Sequence, residues 1–137
     1  MNLPIPQTDI VIIVEGKNDR GRLARILKPG VRILCTLGTP GTEQLHRLRR
    51  EAGDLPVYLF TDNDSSGKKI RSLLGDAFPD AEQIYTRRGY AGVEGTPEEY
   101  LIQQLDKAGL GDYLLEFPPA PLRDLPDRAA RRQRDME

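Results

Sequence analysis

The chain has 137 residues, a formal net charge of -1 and a single cysteine, and its isoelectric point lies near 5.9. This balance excludes a global basic field that would collect nucleic acid, so any polyanion has to be held by a local group of cations. Cys35 alone cannot form an internal disulfide, which fits a reducing compartment. No apolar stretch approaches the roughly 20 residues that span a bilayer, and the N-terminus lacks the features of a secretion signal. We therefore expect one soluble, cytoplasmic domain with no membrane contact.

Strand and helix patterns alternate along the chain. Short apolar runs bounded by turn residues predict buried strands at 10–14, 31–35 and 57–60 and a weaker strand at 82–86. Each is followed by a helical pattern. The second helix would be capped by Thr39 with Pro40 as its first residue, and the fourth would open with a capping box from Thr96 to Glu99. This alternation predicts an α/β, Rossmann-like fold with a mainly parallel sheet of about four strands, helices on both faces, and strands one and three adjacent.

The two ends of the chain differ from its middle. Residues 1–8 carry Pro4 and Pro6 and predict an extended lead-in. Residues 1–115 are assigned to the domain. Residues 116–137 are rich in proline and arginine and poor in apolar anchors, so we expect them to form a mobile tail.

Acidic side chains follow two of the predicted strands. Asp62 and Asp64 come directly after the third strand, and side chains two residues apart on an extended chain point to the same side. Glu15 follows the first strand, so adjacent parallel strands would bring it to the same edge of the sheet. Carboxylates so close repel each other unless a proton or cation lies between them, and Mg²⁺ takes oxygen ligands. The pattern predicts a three-carboxylate metal site; the simpler alternative is that the aspartates form a turn, with Asp64 capping the next helix.

Basic residues are predicted on the same rim of the sheet. Lys17, Arg87 and Arg88 lie on loops that follow strand ends, where they could grip phosphate groups that the net charge does not attract. Lys68 opens the third helix, where the helix dipole favours anions, so a cation there favours a phosphate held between it and the helix N-terminus. The alternative for each of these residues is an ordinary solvated charge.

Two further carboxylates have a choice of roles. Asp19 either caps the first helix or supports the metal site from outside its ring of ligands. Glu94 lies in a glycine-flanked loop after the fourth strand and either reaches the metal region or is a plain loop residue. Tyr90 in the same loop either stacks on an unpaired base or packs against the edge of the sheet.

Three motifs, separated in the chain but in a fixed order, resemble the toprim domain. They are Ile12-Ile-Val-Glu15-Gly16-Lys-Asn-Asp19, Thr36-Leu-Gly38-Thr39 and Thr61-Asp62-Asn-Asp64-Ser-Ser-Gly67. This domain is shared by bacterial DNA primases, type IA and type II topoisomerases, overcoming-lysogenization-defect nucleases and 5S ribosomal RNA maturation nucleases. The similarity spans about residues 10–105. It is strongest to small stand-alone, primase-like toprim proteins and to the toprim domain of the 5S maturation ribonucleases, because of the first motif and Gly92-Val93-Glu94.

The resemblance implies Mg²⁺-dependent phosphodiester chemistry, with Mn²⁺ as the alternative ion. Glu15 would act as a general acid or base or as a metal ligand, and Asp62 and Asp64 would hold the metal. Three glycines would let the backbone approach the site closely: Gly16, Gly38 and Gly67. We expect hydrolysis of a nucleic acid, structured RNA in particular, because the chain offers neither the tyrosine-bearing domain of a topoisomerase nor the zinc module of a primase.

Two other functions remain open from the sequence. A binding module would keep the fold and the metal but act on nucleic acid without cutting it, together with a protein partner that supplies substrate binding. A regulatory domain would instead sense a nucleotide at the same rim. The sequence does not indicate an oligomeric state.

Overall fold

The computed structural model describes residues 8–62 and 64–116, and the elements follow the predicted order. Strands β1 (Ile10–Val14), β2 (Val31–Cys35), β3 (Val57–Phe60) and β4 (Glu82–Ile84) alternate with helices α1 (Lys17–Ala24), α2 (Thr42–Ala52), α3 (Ser65–Ala77) and α4 (Glu98–Lys107), and a 3-10 helix follows at Gly111–Tyr113. The tail predicted from residue 116 onward lies outside the described residues except for Glu116, and so does the lead-in except for Thr8. No helix in the described part is long and apolar enough to cross a bilayer.

The four strands form one parallel sheet in the order β2-β1-β3-β4. β1 and β3 are neighbours, with Val11 paired to Val57 and Ile13 paired to Leu59. Every residue of β1 is buried, because strands flank it on both sides and helices cover both faces of the sheet. This explains why its sequence shows no alternation of apolar and polar residues. The predicted parallel α/β fold, with strands one and three adjacent, is confirmed.

Two hydrophobic layers cover the sheet. Successive residues of β1 point to opposite faces, so Ile12 and Val14 pack with α1 and α4, whereas Val11 and Ile13 pack with α2 and α3. The first layer includes Leu23, Phe60, Leu101 and Leu105, and the second includes Leu48, Leu59, Ile70 and Leu74. Since both faces are covered, the carboxyl ends of the strands are where this fold can receive a ligand.

The start of α2 differs from the prediction. The sequence predicted Thr39 as the cap and Pro40 as the first residue, but the cap is Gly41. This prediction is wrong because the Gln44 side chain reaches back from the first turn and donates a hydrogen bond to the Thr36 carbonyl at 2.5 Å. The stretch between β2 and α2 is thereby held as a loop.

The predicted capping box before α4 is also wrong. The cap residue is Pro97, and no side chain caps the helix. The Thr96 hydroxyl is buried and donates instead to the Gly92 carbonyl at 2.5 Å, so it closes the preceding glycine-rich loop on itself. β4 ends at Ile84, two residues earlier than predicted.

Candidate functional site

The carboxyl ends of β1 and β3 bring Glu15 and Asp62 together. The Oε2 atom of Glu15 accepts a hydrogen bond from the backbone N–H of Asp62 at 2.6 Å. The two residues are far apart in sequence, and the parallel pairing of their strands accounts for the contact. Both are half-buried. Glu15 is therefore held directly against the loop that carries the two predicted aspartates.

Five carboxylates lie close enough to influence one another: Glu15, Asp19, Asp62, Asp64 and Glu94. We call them the acidic cluster. Burial raises the pKa of Glu15, the N–H of Asp62 opposes this shift, and the charges of Asp62 and Asp64 add to it. Burial also raises the pKa of Asp62, and the next cause is the charge of Asp19. Burial raises the pKa of Asp19 as well, with a further contribution from the charge of Glu94. Negative charge is thus concentrated around Asp62, and a cation there would relieve it.

Asp64 also caps α3. Its Oδ1 atom accepts a hydrogen bond from the Gly67 N–H at 2.7 Å, as the simpler interpretation of the sequence expected. A carboxylate has two oxygens with several lone pairs, so capping leaves room for a second interaction. Gly67 allows close packing here, because a Cβ atom at this position would lie 2.1 Å from the Asp62 carbonyl oxygen. The loop that carries both aspartates is therefore tied to the first turn of α3.

Three other glycines of the site differ in whether a Cβ atom could be accommodated at their positions. A Cβ atom at Gly16 would make an ordinary contact of 3.6 Å with Asp19, and one at Gly38, where φ is +105°, would meet nothing within 4 Å. The sequence singled out Gly92 only as part of the Gly92-Val93-Glu94 similarity and not as a site residue, yet its φ is +68° and a Cβ atom there would lie 1.9 Å from Oδ1 of Asp62. Only glycine lets this loop close over Asp62. The signal that could have found Gly92 is its place in the glycine-rich loop.

That loop is fastened to α1. The Arg22 guanidinium donates to the Glu94 carbonyl at 2.6 Å and to the Val93 carbonyl at 3.2 Å, and the Asn18 amide donates to Oε2 of Glu94 at 3.1 Å. The backbone N–H of Val93 opposes the rise that burial causes in the pKa of Asp62. Arg22 and Asn18 were not selected from the sequence, because nothing in the local pattern of a helix shows which distant loop it will contact.

Arg71 of α3 is another residue that was not selected from the sequence. Its side chain is buried and donates to the carbonyls of Thr61 at 2.8 Å and Ile84 at 3.0 Å, and also to the Gln83 side chain. Its guanidinium lies 4.2 Å from the centre of the Tyr85 ring. Burial lowers the pKa of Arg71, and the charges of Tyr85, Glu15 and Asp62 oppose that shift. Arg71 thus ties the ends of β3 and β4 together immediately beneath the acidic cluster.

The four predicted phosphate-binding cations are all exposed: Lys17, Lys68, Arg87 and Arg88. Lys17 opens α1, and Lys68 lies in the first turn of α3. Arg87 is positioned by an aromatic contact, since its guanidinium lies 4.0 Å from the centre of the Tyr100 ring. Tyr90 packs against the same ring, with 5.5 Å between the ring centres. The described part of the chain therefore places cations on loops and helix starts around the edge that holds the acidic cluster.

The donor atoms of the site suit a hard divalent cation. Within residues 8–62 and 64–116, no three His, Cys, Asp or Glu side chains form a ready-made metal cage. Mg²⁺ does not require one, because it commonly uses one or two carboxylates and completes its shell with waters and substrate phosphates. Glu15 and Asp62 are half-buried and lie close together, since one Glu15 oxygen accepts a hydrogen bond from the Asp62 backbone N–H, and both side chains carry oxygen donors of the right kind. The arrangement therefore fits an ion held by a small number of carboxylates.

The protein is a parallel α/β domain, and acidic residues lie at the carboxyl ends of two of its adjacent strands. These two features place it in the class of α/β domains with an acidic site at the edge of the sheet. The profile of the Toprim domain matches residues 10–90, and the chain belongs to the Toprim domain family. A solved structure of a small TOPRIM domain protein from Bacillus stearothermophilus superposes with a TM-score of 0.65 at 35% sequence identity, covering 79% of this chain and 91% of that one. The toprim fold predicted from the three motifs is confirmed.

The relatives are of two kinds. YusF, an uncharacterized protein of Bacillus subtilis, is 33% identical over 108 residues, which cover 79% of this chain and 74% of YusF. Ribonuclease M5 of Lactococcus lactis is 32% identical over 108 residues, which cover 69% of this chain and 50% of that protein. Ribonuclease M5 of Fusobacterium nucleatum is 29% identical over 104 residues, with 72% and 57% covered. The chain therefore spans about half the length of the ribonucleases that it matches.

Proposed function

We propose that the protein is a Mg²⁺-dependent phosphodiesterase that hydrolyses RNA, with structured RNA as its substrate class. The observation that carries this proposal is the hydrogen bond from the Asp62 backbone to Glu15, because it holds acidic residues of two strands together at the ligand-binding edge of a parallel sheet. Support for RNA comes from the relatives named Ribonuclease M5. The proposal also includes a protein partner that adds substrate binding.

The carboxylates would divide the chemistry among them. When bound, Mg²⁺ supplies a Lewis acid that polarises the phosphate and offsets its charge. Asp62 and Asp64 would hold the ion, and Mn²⁺ could replace it. Glu15 would either add a third oxygen ligand or move a proton at the attacking water or the leaving oxygen. Asp19 and Glu94 would maintain the position of these groups from outside, through their contacts with the Gly16 backbone and with Asn18.

The surrounding cations would bind the phosphates next to the cleaved bond. Phosphate contacts orient a nucleic acid without reading its sequence. Lys17 and Lys68 would act from the starts of α1 and α3, and Arg87 and Arg88 from the loop after β4. In this arrangement the substrate backbone is held by positive charge on both sides of an acidic centre, which suits a reaction that consists mainly of positioning and charge neutralisation.

The test is a cleavage assay on three labelled substrates: structured RNA, single-stranded RNA and DNA, each with Mg²⁺, with Mn²⁺ and with chelator. We expect metal-dependent cleavage of structured RNA that is lost in Asp62→Asn. Asp76→Asn is the matched control, because Asp76 is an exposed aspartate in the last turn of α3, at the opposite end of that helix from Asp64. This control should retain full activity.

The second candidate is a binding module that does not cut. It is favoured by the capping role of Asp64 and by the lack of a ready-made three-residue cage in the described part of the chain. Binding of RNA without cleavage under every metal condition would support the module and overturn the enzyme. Binding of a mononucleotide in preference to RNA would instead support a nucleotide sensor.

A further inference from the structure

Two cavities adjoin the carboxyl end of β2. The smaller, of about 260 Å³, is lined by Lys17, Arg20, Cys35, Leu37, Arg47 and Glu51, among others. The larger, of about 700 Å³, is lined by Thr36, Leu37, Glu43, His46, Arg47 and Arg50, among others. Leu37 and Arg47 line both cavities, so the two lie side by side across these residues. Together we call them the β2 cleft.

The β2 cleft lies next to the acidic cluster. The backbone N–H of Leu37 donates to the carbonyl of Glu15 at 2.7 Å, and that of Thr36 donates to the carbonyl of Val14 at 2.9 Å. Lys17, which lines the smaller cavity, is two residues from Glu15 in the chain. A polymer bound at the acidic cluster would therefore reach the cleft directly on passing over the end of β2.

The charges that line the cleft favour an anion. Lys17, Arg20, Arg47 and Arg50 contribute four cations, whereas the carboxylates are those of Glu43 and Glu51. This excess of positive charge occurs in a chain whose formal net charge is -1. The cations are therefore segregated beside the acidic cluster, which is the local concentration that a phosphate backbone requires.

A buried hydroxyl in the cleft has no hydrogen-bond partner among the described residues. Thr36 is 1% exposed and lines the larger cavity, and its Oγ1 atom is the buried side-chain atom without a hydrogen bond among the described residues. Buried polar atoms are nearly always paired, so an unpaired one calls for an explanation. A phosphate or ribose oxygen bound in the cavity would supply the missing partner.

Leu37, the next residue in the chain, has a strained backbone and an exposed side chain. Its φ is +55°, in the left-handed region that is unfavourable for a residue with a branched side chain, and its side chain is 61% exposed. Strain of this kind persists where the surrounding structure enforces it, and it is common at ligand sites. The strained backbone raises an apolar side chain between the two cavities, where it could separate two neighbouring nucleotides.

We propose that the β2 cleft is a subsite for the nucleic-acid backbone next to the cleaved phosphodiester, with Arg20 and Arg47 on one phosphate, the Thr36 hydroxyl on a sugar or phosphate oxygen, and Leu37 between successive nucleotides. This inference rests on the proposed function for the identity of its ligand. It adds to that function the direction in which the substrate leaves the acidic cluster, across β2 and toward α2.

The experiment measures binding apart from cleavage. Fluorescence anisotropy of a labelled structured RNA is recorded without divalent ions, from about 50 to 200 mM salt, a range over which phosphate contacts strongly affect affinity. We expect Arg47→Gln to weaken binding about tenfold, the loss of one charged hydrogen bond. The slope of log affinity against log salt should fall by about 0.7 to 0.9, the value for one phosphate contact.

The matched control is Arg49→Gln. Arg49 is an exposed arginine of the same helix, but it lines a cavity at the other end of the sheet, with Pro56 and Pro79. The Arg49→Gln variant should bind RNA as the wild type does. Arg47→Lys should restore the salt slope because it keeps the charge. An Arg47→Gln variant that binds normally, or an Arg49→Gln variant that loses as much affinity, would overturn the proposal. The melting temperature of each variant excludes unfolding as the cause.

Comparing binding with cleavage distinguishes a failure of the proposed subsite from a failure of the proposed function. If RNA binds in an Arg47-dependent manner but is never cut, the subsite stands and the enzyme fails. If RNA is cut normally by Arg47→Gln, the enzyme stands and the subsite fails. A mononucleotide or inorganic phosphate that competes at Arg47 while RNA does not bind would overturn a polymer subsite in favour of a small phosphorylated ligand.

Discussion

At the scale of single residues, Asp62 is the most closely surrounded member of the acidic cluster. Its backbone N–H donates to Glu15, its carbonyl abuts Gly67, and its carboxylate lies against Gly92. These contacts fix the carboxylate from several directions at once. Its position is therefore set by the backbone of two loops, and a change in either loop should disturb it.

The closest of these approaches is that of Gly92 to the Asp62 carboxylate. We expect Gly92→Ala to lower the rate of RNA cleavage by about 100-fold, because a displacement on the order of 1 Å at a reacting group has that effect. A Cβ atom 1.9 Å from Oδ1 of Asp62 cannot be accommodated unless the carboxylate or the loop moves. The measurement is the cleavage rate at saturating Mg²⁺.

Gly89→Ala is the control for backbone strain. Gly89 lies in the same loop with φ of +96°, but a Cβ atom there would meet nothing within 4 Å. Both variants incur the cost of a left-handed alanine, and only Gly92→Ala collides with Asp62. Equal activity in the two variants would show that the contact between Gly92 and Asp62 does not matter for function.

The sequence revealed the acidic residues of the site better than the residues that position them. Glu15, Asp62 and Asp64 could be selected because strand ends of a parallel sheet meet at one edge, a rule that needs no side-chain detail. Arg22 and Arg71 could not, because each acts through a contact with a segment far away in the chain. Which loop folds over which strand is decided by tertiary packing.

At the scale of elements, Arg71 joins three of them. It lies on α3, donates to the carbonyls that follow β3 and end β4, and stacks on the ring of Tyr85. Main-chain carbonyls at strand ends are left without partners in the sheet, and in a buried location each needs a donor. The planar guanidinium supplies several donors in a fixed arrangement. Arg71 is therefore a structural cation that satisfies the strand ends below the site.

We expect Arg71→Met to lower the free energy of unfolding by about 2–4 kcal/mol. The variant keeps much of the apolar volume but leaves the buried carbonyls of Thr61 and Ile84 without their donor, and each such loss costs about 1–3 kcal/mol. Urea denaturation measures the change. Arg49→Gln, an exposed arginine on α2, should change it by less than about 0.5 kcal/mol. Similar values for the two variants would contradict a structural role for Arg71.

The elements themselves were largely predictable, and the errors have local causes. Unbroken apolar runs identified β1 and β3 because a strand buried on both faces has no polar side to display. The starts of α2 and α4 were missed because Thr39 and Thr96 matched capping patterns that other contacts overrode. In the second case the hydroxyl bonds to Gly92 and stabilises the loop instead. Short-range patterns gave the elements, and contacts between elements decided where two of the helices begin.

At the scale of the whole molecule, a net charge close to zero conceals a separation of charge. The acidic cluster gathers at the ends of β1 and β3, whereas arginine and lysine line the β2 cleft. Gathering carboxylates in a half-buried place costs stability when no cation is present. The chain folds despite this cost, and an ion bound at the cluster would restore part of the lost free energy of unfolding. This makes metal binding measurable without any substrate.

The dependence of stability on pH follows from the pKa shifts. In the folded chain the pKa values of Glu15, Asp19 and Asp62 are all raised, with burial as the largest cause. A raised pKa means that the folded chain holds these protons to a higher pH than the unfolded chain does. The resulting stability is fully present below the ordinary carboxyl pKa and is lost as pH rises through the raised values. Without divalent ions, these groups should therefore make the protein more stable in mild acid than at neutral pH.

The raised pKa of Asp62 and the proposed metal ion can be tested together in one variant. We expect Asp62→Asn to raise the metal-free melting temperature at neutral pH by about 4 °C, the shift that corresponds to roughly 1 kcal/mol in a domain of this size. Its loss of stability as the pH rises above the ordinary carboxyl pKa should also be smaller than that of the wild type. Mg²⁺ at ten times its dissociation constant should stabilise the wild type by about 1.4 kcal/mol and leave Asp62→Asn nearly unchanged. Asp76→Asn should follow the wild type throughout. If Mg²⁺ stabilises Asp62→Asn as much as the wild type, the ion binds elsewhere, and the acidic cluster loses its assigned role.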